Sequence, residues 1–89
     1  MDSLAPSSLL NLGPKSDAML ASIGIRTHAD LRACGAVNAF IQLKQSKQPA
    51  SLNLLWAMEG ALSNRHWRVV AKEDRLRLLL ELESRGVIL

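Results

Sequence analysis

Eighty-nine residues, 48% of them apolar and 21% charged, make one small domain and exclude disordered, collagen-like and low-complexity classes. A single cysteine, Cys34, excludes an internal disulfide, and with only two histidines beside it the ligands for a Cys/His zinc site are lacking. Eleven Lys and Arg against eight Asp and Glu leave a net charge of +3, a mild surplus that suits an anionic partner without the dense basic patches that announce nucleic-acid binding by themselves.

The longest nearly uncharged apolar stretch, Leu52 to Met58, is far short of the ~20 residues that span a bilayer. The start, MDSLAPSSLL, has no basic segment ahead of a long apolar one and so lacks the pattern of a secretion signal. With the lone thiol, these features predict a cytoplasmic protein with no membrane contact.

Taken in chain order, the sequence reads as short helices separated by punctuation, with no period-2 alternation long enough for a strand. A first short helix is predicted between Pro6 and Leu10, and Asn11-Leu12-Gly13 forms a turn. Pro14 starts the second helix, whose apolar stripe is Met19, Leu20 and Ile23. Gly24 closes it in a left-handed conformation, with Ile25 folding back as the apolar contact. Thr27 caps a third helix ending near Gly35, with Asp30 as a short-armed capping-box acid.

Val37, Phe40, Ile41 and Lys44 at i, i+3, i+4 and i+7 define a fourth helix over 36–45, followed by a polar, mobile loop from Gln45 to Pro49. Ser51 caps a fifth helix, SLNLLWAMEGALS, which is apolar on nearly every side and belongs in the middle of a bundle. Ala57, Gly60 and Ala61 give it a small-residue face for close approach. A last helix is predicted from about Ala71 to Arg85. Glu73, Arg77, Glu81 and Arg85 form its solvated face, and Leu76, Leu79, Leu80 and Leu82 look inward. Gly86 ends it, and Val87-Ile88-Leu89 tucks against the bundle.

The most informative local feature is Asn11-Leu12-Gly13 followed by Pro14-Lys15-Ser16, with Gly24-Ile25 after the next helix. This resembles a helix-hairpin-helix motif, in which an apolar residue sits between two positions of unusual backbone geometry. Leu12 takes the apolar place, Gly13 that of the second glycine, and Asn11 replaces the first. In such a hairpin the backbone N–H groups at the helix start point outward, the helix dipole is positive there, and Lys15 adds a full charge. That arrangement suits a DNA phosphate without reading bases, and Arg26 is placed nearby by the same motif. The same residues also fit a plain tight corner between helices, with Lys15 in water.

The resemblance extends further. NLGPKSDAMLASIGIRTHADLRACGAV, followed by SLNLLWAMEGALSNRHWR, is similar to the C-terminal domain of the TfoX/Sxy family of competence regulators, over roughly Leu9 to Leu82. The resemblance implies a helical domain related to helix-hairpin-helix folds. It also implies a family whose full-length members carry an N-terminal α/β domain and promote transcription of DNA-uptake genes with the cyclic-AMP receptor protein. The chain is a stand-alone member or an excised domain, and Met1-Asp2-Ser3 leans to the former. No catalytic residues are implied.

Other residues divide between structural and functional readings. His28, in the first turn of the third helix, and His66, before the last helix, have no second ligand at metal spacing and read as surface or capping groups. Cys34 reads as a packed, inert thiol rather than a nucleophile. Trp56 is core. Trp67, in Asn64-Arg65-His66-Trp67-Arg68, anchors its loop or else stacks on a base or partner. Glu59 in the central helix needs a cation, with Arg65 or Arg68 in reach as a structural pair.

The expectation is therefore an all-α, helix-hairpin-helix or SAM-like bundle of five to six short helices, one domain over residues 1–89. Its function is that of a non-catalytic regulatory module of the competence-regulator type. Weak, non-specific DNA contact is assigned to Asn11, Leu12, Gly13, Lys15, Ser16 and Arg26. The alternative is a protein-interaction domain without DNA contact, its partner a transcription regulator or a separate N-terminal-domain protein. No metal, cofactor or small-molecule substrate is implied.

Overall fold

A computed structural model describes residues 12–87. The predicted helix between Pro6 and Leu10, Asn11, and the Ile88-Leu89 end of the apolar tail lie outside the described residues. Among those described the chain is all helical: α1 (Pro14–Ala21), α2 (His28–Cys34), α3 (Ala36–Gln45), α4 (Leu52–Ser63), α5 (Trp67–Glu73) and α6 (Arg75–Ser84).

Local chemistry accounts for most boundaries. Pro14 opens α1 at a position where its missing N–H costs nothing. Gly24, at φ +85°, closes α1: the Ile25 N–H reaches the Leu20 carbonyl at 2.9 Å, and Ile25 is buried as the apolar contact beyond the cap. Thr27 Oγ1 accepts from the Asp30 N–H at 3.1 Å, while Asp30 Oδ2 accepts from the Arg26 N–H at 3.1 Å, one residue before the cap. Ser51 caps α4 in the same way through the Leu54 N–H.

Gly35 at φ +85° and ψ +153° joins α2 to α3, ending one helix and beginning the next. That backbone region is open essentially to glycine alone.

The core forms around α3 and α4. Phe40, Leu43, Leu55 and Met58 are completely buried, and Leu20, Leu31, Val70, Leu78 and Leu82 close over them from the other helices. Each such burial contributes about 1.5–3 kcal/mol. Lys44 lies across the edge with its Nζ 5.6 Å from the Phe40 ring centre, so its stem covers apolar surface while its charge stays wet. On α4, Leu55 to Met58, Gly60 and Ala61 are buried, as expected of a helix packed on several sides, and α5 is its most extensive neighbour.

Two expectations are corrected. The final helical region is not one helix from Ala71. Trp67 already begins α5, and Asp74, at φ −107° and ψ +1°, breaks the chain before α6. Trp67 thus belongs to a helix rather than a loop, and the His66 ring caps it, with Nδ1 accepting from the Arg68 N–H at 3.1 Å. The inward face of α6 also differs. Leu78 and Leu82 are buried and Leu79 is half-buried, but Leu76 is 71% and Leu80 53% exposed. Leu76/Leu80 and Leu78/Leu82 are both i, i+4 pairs, on nearly opposite faces, and packing of α6 against α3 selects the second.

Candidate nucleic-acid contact site

The start of α1 collects most of the residues assigned to phosphate contact. Leu12 is buried and ties the turn to the core. Gly13 is the N-cap residue, with an extended backbone at φ −134° and ψ −176° that any residue adopts, so the unusual geometry expected there is absent. The Gly13 carbonyl accepts the first helical bond, from Asp17 N–H at 3.0 Å, and Gly13 itself offers no side chain to cap the helix start. Pro14 has no N–H, so the amides of Lys15 and Ser16 are the ones without an intrahelical acceptor. The Lys15 side chain is exposed and Ser16 is half-buried.

Backbone N–H groups, dipole and ammonium therefore act in one direction at this point, although Asp17 in the same turn offsets part of the field. Arg26 is exposed but follows the C-terminal cap of α1. An eight-residue helix is about 12 Å long, so Lys15 and Arg26 sit at its two ends rather than side by side. Asn11 lies outside the described residues.

The other candidates take structural places. His28 is 93% buried rather than a surface group, with 7% of its surface exposed, because α2 turns its first residue inward beside Leu31. Cys34 is half-buried, and burial pushes its thiol above the usual range while a 3.5 Å hydrogen bond from Gln42 Nε2 opposes the shift. A thiol so placed is a poor nucleophile. Trp56 is in the core, as predicted. Trp67 packs partly against the core, with the Arg68 guanidinium 5.4 Å from its ring centre.

The predicted partner of Glu59 is corrected. Neither Arg65 nor Arg68 makes that pair; Arg77 Nη2 donates to Glu59 Oε2 at 2.9 Å. After the break at Asp74, α6 packs on α3 and α5, and Arg77, in the first turn of α6, reaches the half-buried acid.

Asp74 itself is the centre of the charged surface. Its Oδ2 accepts from Arg65 Nη2 at 2.5 Å and from Arg77 Nη2 at 3.0 Å, and these two hydrogen bonds lower its pKa to about 2. Arg65 also lies 3.9 Å from Glu73, while Glu81 is shared by Arg77 and Arg85. Arg85 also hydrogen-bonds Asn38 Oδ1. Glu59, Arg77, Glu81 and Arg85 thus line a cleft of about 190 Å³ beside Cys34, their charges largely satisfied by one another. Nothing in the sequence signals Asp74 as a hub, because its two partners come from different segments, Arg65 from between α4 and α5 and Arg77 from α6.

Among the described residues no helix is long and apolar enough to cross a membrane, and no three His, Cys, Asp or Glu are grouped to hold a metal ion. Fold and surface together define a small all-helical domain with an exposed, basic start to α1 and, among the described residues, a set of acidic groups around α4–α6 largely paired with arginines. Its sequence places it more narrowly. The chain belongs to the TfoX C-terminal domain family, whose model matches residues 4–82. It is 36% identical over 76 residues to the DNA transformation protein TfoX of Haemophilus influenzae, a match covering 85% of this chain and 35% of that protein. The chain therefore spans about a third of that relative's length. The fold is similar to the crystal structure of an uncharacterised protein from Listeria monocytogenes, with a TM-score of 0.76 at 25% identity over 90% of this chain and 92% of that one.

Proposed function

We propose that this chain is a non-catalytic regulatory module serving DNA transformation, and that it contacts the DNA backbone through the start of α1. The observation that carries the reading is the exposed Lys15 beside the two helix-start amides, its own and that of Ser16, that have no intrahelical acceptor. The kinship with a DNA transformation protein supports the biological setting. Contacts of this kind hold phosphate and read no bases, so the affinity expected is that of non-specific association, about 10⁻⁴–10⁻⁶ M.

Fluorescence anisotropy of a labelled duplex, titrated with the chain at several salt concentrations, tests this. Binding should weaken steeply with salt, and Lys15→Glu should weaken it further and lower the salt slope by about one. A folded Lys15→Glu chain that binds as the wild type does would remove Lys15 from the contact.

A second reading, a protein-interaction domain without DNA contact, is favoured by one observation. Leu76 and Leu80 form an exposed apolar pair on α6, larger than isolated surface leucines require. Binding through that face should tolerate salt, which separates it from the first reading.

A further inference from the structure

The cations of α5 and of the start of α6 differ in what they face. Arg65, Arg77 and Arg85 are each tied to carboxylates, and together they occupy Glu59, Glu73, Asp74 and Glu81. That pairing uses up the acids nearest to α5 and leaves Arg68, Lys72 and Arg75 with no carboxylate partner among the described residues. All three are exposed. Arg68 and Lys72 are i, i+4 on α5, which puts them on one face with Cβ atoms about 5–6 Å apart. Glu73, next to Lys72 in sequence, points to a different side of the helix and is engaged by Arg65. Arg75 follows immediately after Asp74, whose carboxylate is turned toward Arg65 and Arg77.

One of the three is also held in place. The Arg68 guanidinium stacks 5.4 Å from the centre of the Trp67 ring, which is itself anchored on the core. The His66 ring lies 5.8 Å from the same indole and caps α5 through the Arg68 N–H. A guanidinium ordered by a ring loses less freedom on meeting a phosphate than a loose one does.

We infer that Arg68, Lys72 and Arg75 form a second phosphate-contacting strip, separate from the start of α1, that lies along the backbone of duplex DNA. The inference deepens the DNA-contact reading and rests on it. Two contact points give a domain with a net charge of only +3 more than one hold on a polyanion, because the acids beside the strip already face other arginines. No base readout is involved, since the three side chains present charge and donors suited to phosphate oxygens.

The test uses the full chain, a labelled duplex and anisotropy across a salt series, comparing wild type, Lys15→Glu, Arg68→Glu/Lys72→Glu and Arg75→Ala. All substituted residues are exposed, and circular dichroism confirms that each variant is folded. The strip predicts that Arg68→Glu/Lys72→Glu weakens binding about tenfold or more at low salt and lowers the salt slope by about two, with Arg75→Ala lowering it by about one. If Lys15→Glu weakens binding while the α5 variants bind as wild type, the strip is overturned and the α1 contact stands. If the α5 variants weaken binding and Lys15→Glu does not, the strip stands and the α1 contact falls. Absence of wild-type binding at low salt overturns both. Tighter binding to phosphatidylserine vesicles than to duplex, lost in the α5 variants, assigns the strip to a membrane surface and overturns the DNA assignment.

Discussion

Replacing Asp74 with asparagine keeps the shape of the side chain and removes the charge that holds Arg65 and Arg77. In the folded chain the Asp74 pKa lies near 2, against an ordinary value of 3.8, chiefly because of its hydrogen bonds from those two arginines. A difference of that size corresponds to about 2 kcal/mol of stabilisation of the folded state. The Arg77 and Arg65 side chains are 54% and 30% exposed, so solvent screening reduces the expected contribution to about 1–2 kcal/mol. The folded pKa is depressed, so this stability is fully present above the unfolded value. It is lost as pH falls from about 4 to about 2. Asp74→Asn should therefore lower the melting temperature at pH 7 by about 5–10 °C, and the gap between variant and wild type should close over that acidic range. Calorimetry or circular dichroism melts at pH 7, 4, 3 and 2 read both effects. Equal melting temperatures at pH 7, or a gap that persists undiminished at pH 2, would refute the assignment of Asp74 as the electrostatic tie between α4, α5 and α6.

Gly35→Ala should cost about 1–3 kcal/mol in urea denaturation, from backbone strain alone, since a Cβ at Gly35 would meet nothing within 4 Å; an unchanged midpoint would contradict the assigned φ of +85°. Thr27→Ala removes the acceptor for the Asp30 N–H and should cost about 1 kcal/mol, measurable in the same assay, whereas Thr27→Ser should restore most of it. Cys34 should react with a disulfide reagent at pH 7.5 more slowly than the same thiol in urea, because burial raises its pKa; equal rates would show that the thiol is fully accessible.

The parts of the fold legible in the sequence are those with local causes. Pro14, Gly24 with Ile25, Thr27 and Ser51 set helix ends through bonds made within a few residues, and each was readable from residue type and spacing. The i, i+3, i+4 pattern of Val37, Phe40 and Ile41 likewise matches the buried face of α3. Family membership was legible because the matching segments run through most of the chain.

What escaped the sequence depends on tertiary partners. No glycine or proline marks the break at Asp74; it coincides with a carboxylate gripped by arginines from either side. The dense leucines of α6 carry two i, i+4 pairs, so spacing alone leaves the phase open, and the buried pair is chosen by contact with α3. His28 is buried for a similar reason, since the capping chemistry of Thr27 sets where α2 begins but not which of its residues face the core. At the candidate site, the exposure of Lys15 and the absence of a capping side chain at Gly13 follow from helix-start chemistry, while the extended backbone of Gly13 does not follow from its being glycine. The charge pairing that distinguishes Arg68, Lys72 and Arg75 from the other cations of the last two helices is visible only in three dimensions.

The central claim is that the start of α1 meets phosphate, and the most direct measurement is a two-dimensional amide NMR titration of the isotopically labelled chain with a short DNA duplex at low salt. The amides of Lys15 and Ser16 should move progressively with duplex concentration and return as salt is raised, with Lys15→Glu suppressing the change. Amide shifts that leave α1 untouched at saturating duplex, or no shifts anywhere, would contradict the account.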